Sequence, residues 1–563
     1  GNINLLGSEG SSNPAHHSGG GIYANFGDID IEDYAENSTN SVTLRQSKVT
    51  DNHADFNGGG IDTHYGIITI NKDEGDDQIE ITGNTAGVNG GGIYANQGTI
   101  KAYNALVVNN TAGNNGGGAN NHSGDIIFYG GSVSNNTAEN GHGGGIYTNV
   151  GDIHLLSFPS DIPIDEITAF NGVELYNNIA RYNGGGINNH TGRVNIRYAT
   201  LRNNTSTLGN GGGIFCEGPH SSSTGYTIRL LNSSLKENKT RGANGTEVAP
   251  TGRGGGIYLK YGSIFAQGSN IVGNSANING GGLNNHSGDI RVFGCQLIEN
   301  KAVTGNGGGI YTQVGDIITG PYGLSGRTLI QKNTAQLNGG GIDNHEGKIT
   351  INGDYIGHPG NNENNTEYRE LGNIAITGHG GGVFVRSGNI EMFGGAISNN
   401  QAKRVNNVGG NGGGVNIGGE SGEGGQGGTF TIKKRIAKPI VDIIDVELGR
   451  DENTSGKYTA TIHYHVIDNL NQEYYTNPAF GFTDDAFNAQ LLWVSTNQGA
   501  AAVAPSSVIG DLPGCRRLTI SNLEPGTDYT VKISVTNKQS PTGCPKTGYS
   551  DDCTFTTFSA SPN

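Results

Sequence analysis

Residues 116–142 read GGGANNHSGDIIFYGGSVSNNTAENGH, and this stretch decides the fold. Its apolar residues come in three short extended runs, around Ala119, Ile126 to Phe128 and Val133. Each run alternates with period two, and none carries the 3.6-residue spacing of a helix. Gly and Asn separate the runs, as turns require. Three short strands with bends between them make one turn of a parallel β-helix.

The same pattern recurs outward in both directions. Glycine triplets begin at Gly19, Gly58, Gly90, Gly116, Gly143, Gly184, Gly211, Gly254, Gly280, Gly307, Gly339, Gly380 and Gly412, with tightest intervals of 26 or 27 residues. A fixed period in this range marks a solenoid, and the longer intervals hold insertions. An aliphatic residue follows each triplet (Ile22, Ile61, Ile93 and onward to Val383 and Val415), with Ala119 the one small exception. The second strand reads Gly-x-Ile-x-Ile, as in Gly27, Ile29 and Ile31. The third ends in aliphatic-x-x-Asn-x-Ala, placing Asn at 13, 52, 84, 110, 136, 178, 204, 238, 274, 300, 333, 373 and 400. Coils stack at about 4.8 Å, so identical residues fall in register, and thirteen coils span about 60 Å. Aliphatic columns then fill the interior, an Asn column can bond from coil to coil, and the glycines permit positive φ at the corners. Insertions near Glu32–Ser41, Ser157–Asp165 and Asp354–Tyr368 are expected between the second and third strands, protruding from one edge of the rod.

Composition agrees. A chain of 563 residues with 99 Gly and 33% hydrophobic residues cannot fill one ordinary globular core. The net charge of −16 argues against nucleic acid and anionic membranes as partners. No stretch approaches the roughly 20 apolar residues of a membrane span. The chain opens at Gly1 and its single Met is Met392, so residue 1 is not read as a translation start. These features fit a secreted, extracellular or cell-surface protein. Of five cysteines, Cys544 and Cys553 bracket a short loop and are a candidate disulfide, while Cys216 and Cys295 read as small buried hydrophobes.

The paired elements Gly-Gly-Gly-Ile/Val and aliphatic-x-x-Asn-x-Ala resemble the repeats of chlamydial polymorphic membrane proteins and related pectate-lyase-like surface proteins. That pattern is Gly-Gly-Ala-Ile with Phe-x-x-Asn, so this chain departs at the third Gly and at the Phe. The resemblance covers residues 1–435 and implies a right-handed parallel β-helix used in adhesion. After Lys438 the triplets stop. Residues 518–535, LTISNLEPGTDYTVKISV, resemble the fibronectin type III signature, with Leu523, Pro525, Thr527 and Tyr529 at its corner motif and Trp493 as core aromatic. The expected architecture is therefore all-β: a β-helix of about 13 coils over 1–435 and a fibronectin III/immunoglobulin-like β-sandwich over 436–563.

The β-helix fold also hosts polysaccharide lyases and hydrolases, so catalytic groups need examination. Gly141-His142-Gly143 and Gly378-His379-Gly380 look like the Gly-His-Gly of polygalacturonases, but both fall where other coils carry Asn, Ser or Arg. The pairs Asp76-Asp77 and Asp484-Asp485 lie in an insertion and in the sandwich region. Hydrolysis needs two carboxylates converging on one bond, and the repeat places none so. No catalytic residue, metal or cofactor is therefore expected. His64, His122, His190, His286 and His345 share one column, with neighbouring His about two coils, roughly 10 Å, or more apart, too far to share a metal.

Two residues earlier on the same strand, Tyr23, Tyr94, Tyr147, Phe215, Tyr258, Tyr311 and Phe384 share a column with Asp62, Asn120, Asn188, Asn284 and Asp343. Two readings stand: small polar neighbours that give each ring room, or an exposed aromatic stripe that binds a glycan chain or a neighbouring rod. At the start of the chain, Gly1, Asn2, Ile3, Asn4 and Leu5 already match the second-strand pattern. A coil begun part-way through is expected to stack on a second copy, head to tail; the rival reading is that Gly1 is a cut inside a longer adhesin, whose missing residues supply the cap. The function expected is a non-enzymatic structural protein, a fibre-forming subunit or adhesin rod, whose partners are itself, glycans or a neighbouring cell surface. The alternative is a polysaccharide-binding or polysaccharide-degrading β-helix.

Overall fold

The computed structural model describes residues 3–432 apart from 7–8, 33, 39–40, 46, 72–77, 158–171, 219–225, 242–250, 322–325, 359–370, 406–407 and 419–428. Side chains in 4–9, 32–46 and 404–409 are not described, and beyond 432 only the backbone of eight strands is. The described residues up to 432 form a right-handed solenoid of parallel strands, arranged in one 14-stranded and three 13-stranded sheets. Gly116–His142 supplies four strands: Ala119–Ser123, Ile126–Tyr129, Ser132–Ser134 and Thr137–Ala138.

The expected three strands per coil are thus four. The third expected strand breaks in two because the residue before the ladder Asn turns into the left-handed region in all coils but that of Asn373: φ is +57° at Asn109, +54° at Asn135 and +57° at Asn203. Asn tolerates that conformation better than most residues. The break directs Asn136 inward and starts a two-residue fourth strand, whose Ala138 is buried.

Register follows the repeat. Ile61 pairs with Ile22 and Ile93, and Ile100 with Ile68 and Ile126. Ile3 and Leu5 pair with Ile29 and Ile31, which places them in the second-strand sheet as their spacing predicts; Gly1 and Asn2 lie outside the described residues. From Ile61 to Val383 the first residue after every triplet is fully buried, and one continuous aliphatic core runs through the coils. Burying one such side chain contributes about 1.5–3 kcal/mol, repeated along every column.

The glycine triplet has two separate causes. Its first glycine takes φ between +60° and +68°, which a side chain resists. The second and third do not; they are glycine because the next coil lies too close. A Cβ on Gly117 would stand 2.5 Å from Gly144 O, and one on Gly118 2.7 Å from Gly145 O.

Two of the three named insertions, 33–46 and 158–171, do lie between second and third strands. The third does not. Tyr355–Gly357 is itself the third strand, so 359–370 falls before the fourth strand Ile374–Ala375. Residues 219–225 interrupt the corner between first and second strands, and 242–250 the return to the triplet. Insertions therefore leave from every corner of the coil, and the expectation of one variable edge is corrected. Each corner is a turn whose length the stacked strands do not constrain.

In the C-terminal quarter, Ile440–Arg450, Tyr458–Ile467, Cys515–Leu523 and Val508–Leu512 form one antiparallel sheet in that order. Phe487–Ser495 pairs with Asp528–Asn537, which also pairs with Thr547–Tyr549 and Cys553–Thr556. The side chains of Trp493, Tyr529 and Cys553, and all of Cys544, lie outside the described residues, and so does the candidate disulfide.

Candidate functional site

Two hydrogen-bonded ladders run along the rod, and the outer one, interrupted at Arg253, takes in both Gly-His-Gly histidines. The inner ladder is the Asn column. From Asn13 to Asn400 each backbone N–H and each side-chain Nδ2 donates to Oδ1 of the next Asn, at 2.8–3.1 Å. The second Nδ2 proton goes back to a third-strand carbonyl of the preceding coil, as from Asn136 to Val107 O and from Asn178 to Val133 O. Every donor and acceptor of an internal rung is thereby used, which is the condition for burying an amide.

The outer ladder was not anticipated. It uses the residue just before each triplet and donates in the opposite direction: Asn89 N–H to Asn57 Oδ1 and Asn115 N–H to Asn89 Oδ1, both at 3.2 Å. His142 belongs to it. Its N–H donates to Asn115 Oδ1 at 2.9 Å, and its Nδ1 accepts from Asn183 N–H at 3.2 Å. His379 does the same between Asn338 and Asn411. The two Gly-His-Gly histidines are thus structural acceptors standing in for Asn. The signal lay in the sequence, since nine of the thirteen triplets are preceded by Asn.

Burial, and to a smaller extent His190, holds the pKa of His142 below its usual value. The accepting role of Nδ1 likewise requires the neutral ring. A pKa lowered on folding gives stability that is fully present above the unfolded value, about 6.5, and lost as pH falls through the folded value. His142→Asn is therefore expected to keep both bonds and weaken the fall in thermal midpoint between pH 7 and pH 5. Equal slopes for the two proteins would contradict this role.

The column of His64, His122, His190, His286 and His345 lines the outer side of the triplet strand, and its bonds run to neighbouring coils. His190 meets Glu217 at 2.9 Å, and Glu217 meets Lys260 at 2.5 Å. Gln313 and Arg386 reach the two ring nitrogens of His345 at 2.7 and 2.6 Å. No group of three or more His, Cys, Asp or Glu suited to a metal occurs among the described residues. Asp76-Asp77 and Asp484-Asp485 lie outside them. Cys216 and Cys295 are fully buried, and burial pushes both thiols up to about 12, which keeps them protonated.

The aromatic column exists as its spacing predicts: Tyr23, Asp62, Tyr94, Asn120, Tyr147, Asn188, Phe215, Tyr258, Asn284, Tyr311, Asp343 and Phe384 follow one another in register. Its exposure is corrected. Tyr94, Phe215, Tyr258, Tyr311 and Phe384 are buried, Tyr147 is half-buried, and Tyr23 alone is open, at 49%. The turn carrying the triplet packs beside the column: the Cβ position of Gly90 is 2.8 Å from Tyr94 Cβ, and Asn120 Nδ2 donates to Asn115 O at 3.2 Å. Most rings are therefore cover for the coil, given room by the small polar residues between them. Phe215 and Tyr258, which have no such spacer, stack at 5.5 Å and 14°.

Open aromatic surface gathers elsewhere. In the first two coils Phe26 stacks on Tyr65 at 5.0 Å and His17 on Phe56 at 5.2 Å, beside Tyr23 and Ile67. No helix among the described residues is long and apolar enough to cross a membrane. The chain matches no curated protein and no solved structure. Residues 78–96, which hold the third strand Glu80–Thr82, the ladder residue Asn84 and the triplet at Gly90, match the model of the Chlamydia polymorphic membrane protein (Chlamydia_PMP) repeat.

Proposed function

We propose that this protein is a non-enzymatic rod of the cell surface that works in adhesion, presenting side faces and corner insertions to its partners. One observation carries the reading: His142 and His379, the residues most like a β-helix hydrolase motif, serve as backbone acceptors in the outer ladder. With Nδ1 accepting, the neutral ring carries its proton on Nε2, so neither nitrogen is set to take a proton from a substrate as a general base does. Similarity of residues 78–96 to the polymorphic membrane protein repeat supports a surface location. The carboxy-terminal strands are read as a fibronectin III-like module that spaces or binds. A screen over plant, bacterial and host polysaccharides is expected to release no unsaturated or reducing sugar ends, while the immobilised protein retains intact cells or glycans. Turnover on any polymer would overturn the reading in favour of a lyase or hydrolase.

End-to-end association of copies is a second reading, favoured by ladder polarity. Every inner rung donates toward the carboxy-terminal side and accepts from the amino-terminal side, so a stacked second copy would continue the column with the same bonds. Sedimentation of the native protein over a wide concentration range tests it. A species that stays monomeric throughout would remove it.

A further inference from the structure

Two members of the aromatic column do not fit its chemistry. Where small polar residues separate the rings, Asn120, Asn188 and Asn284 each donate from Nδ2 to the carbonyl five residues back, at Asn115, Asn183 and Asn279, over 3.0–3.4 Å. That carbonyl belongs to the outer-ladder residue, so the side chain ties the strand to the turn that begins the triplet. Asp62 and Asp343 occupy the same register position, five residues after Asn57 and Asn338. An ionised carboxylate cannot donate to a carbonyl, and it would stand against one. Yet both residues are buried, Asp62 at 3% exposure and Asp343 at 1%, and neither Asp343 oxygen meets a donor among the described residues.

We propose that Asp62 and Asp343 are built into the fold as neutral carboxylic acids, donating to Asn57 O and Asn338 O as Asn does elsewhere, so that their ionisation unfastens the triplet turn in the second and eleventh coils. The rod thus carries one acid-fastened joint toward each end of the solenoid and amide-fastened joints between them.

The surroundings agree. Around Asp62 stand Tyr23 and Tyr94 on the adjoining coils, Ser18 on the preceding turn and His64 on the same strand. Burial raises its pKa to about 7 against a smaller opposing bond from Ser18. Around Asp343 stand Tyr311 on one side, Phe384 and Arg386 on the other, and His345 on its own strand. There burial raises the pKa well above the ordinary carboxylate value, and Arg386 offsets only part of it. Neutral acids of this kind contribute stability that is complete below the unfolded carboxylate value, about 3.9, and lost as pH rises through the folded value.

The test compares the full chain with Asp62→Asn, Asp343→Asn and the double variant. Between pH 5 and pH 8.5 the parent is expected to lose protection from hydrogen exchange at Gly58–Gly60, and at Gly339–Gly341 as the pH is raised until Asp343 ionises, and the double variant to keep both. At pH 6 the infrared carbonyl band of a protonated carboxyl is expected in the parent and reduced in the double variant. Parallel exchange profiles, or identical carbonyl bands in two folded proteins, would overturn the proposal.

Discussion

Gly185→Ala is expected to prevent the middle of the rod from closing, whereas Gly10→Ala leaves it unchanged. A methyl on Gly185 would lie 2.4 Å from Gly212 O and 2.4 Å from the carbonyl carbon of Thr205, both backbone atoms of the next coil. Overpacking against side chains costs about 1–3 kcal/mol because rotamers can give way. Here neither wall can turn aside, so relief requires separating two coils and the bonds between them, Gly185 N–H to Gly211 O and Ile187 N–H to Gly213 O. The loss is therefore expected at or above the top of that range, about 3 kcal/mol or more. A solenoid is held by nearest-neighbour interfaces, so the damage stays local before it spreads. Hydrogen exchange should show protection failing first across the neighbouring coils, residues 144–213, with a fall in the thermal midpoint. The Cβ position of Gly10 has nothing within 4 Å, so its substitution is expected to stay within about 0.5 kcal/mol. A Gly185→Ala protein as stable as the parent would mean that the stack is looser than its distances indicate.

The contrast between these glycines also explains what could be read from the sequence. Periodicity reports which residues share a column, and that was enough for the triplets, the interior aliphatics, the Asn ladder and the register of Ile3 and Leu5. It does not report how near the next backbone lies. The second and third glycines of a triplet look like flexible corner residues in sequence, yet they are fixed by close approach. Depth of cover is equally silent. Tyr94 and Tyr23 share a column, but one is buried and the other 49% exposed, because the flanking coils and turns decide it. The extra strand per coil was hidden because φ at Asn135 turns the chain without a glycine or proline to mark the bend. The outer ladder is hidden for a different reason: Asn before nine triplets marks a shared position, but residue type alone does not show that His142 and His379 accept a backbone bond there.

Asn204→Ala is expected to be the most damaging single change that removes atoms instead of adding them. Asn204 Oδ1 accepts from both Asn178 N–H and Asn178 Nδ2, each at 3.0 Å. Its own Nδ2 donates to Asn238 Oδ1 at 2.9 Å and to Leu175 O at 3.0 Å. Truncation removes four bonds and strands two donors of Asn178 away from water. Each buried polar group left without a partner costs about 1–3 kcal/mol, so the sum for the two lies in the range of roughly 2–6 kcal/mol, less whatever a water admitted to the gap recovers. Asn204→Asp is expected to do no better. It keeps an acceptor for Asn178 but loses the donor to Leu175 O and places an unpaired charge in a sealed column. The neighbouring surface residue Asn203 provides the control: its side chain is no part of the ladder, although its φ of +57° makes Gly the gentlest replacement there. Equilibrium unfolding in denaturant should give Asn203→Gly a midpoint near the parent's and Asn204→Ala a much lower one. If both moved together, the column would be ordinary packing and not the fastening that holds coil to coil.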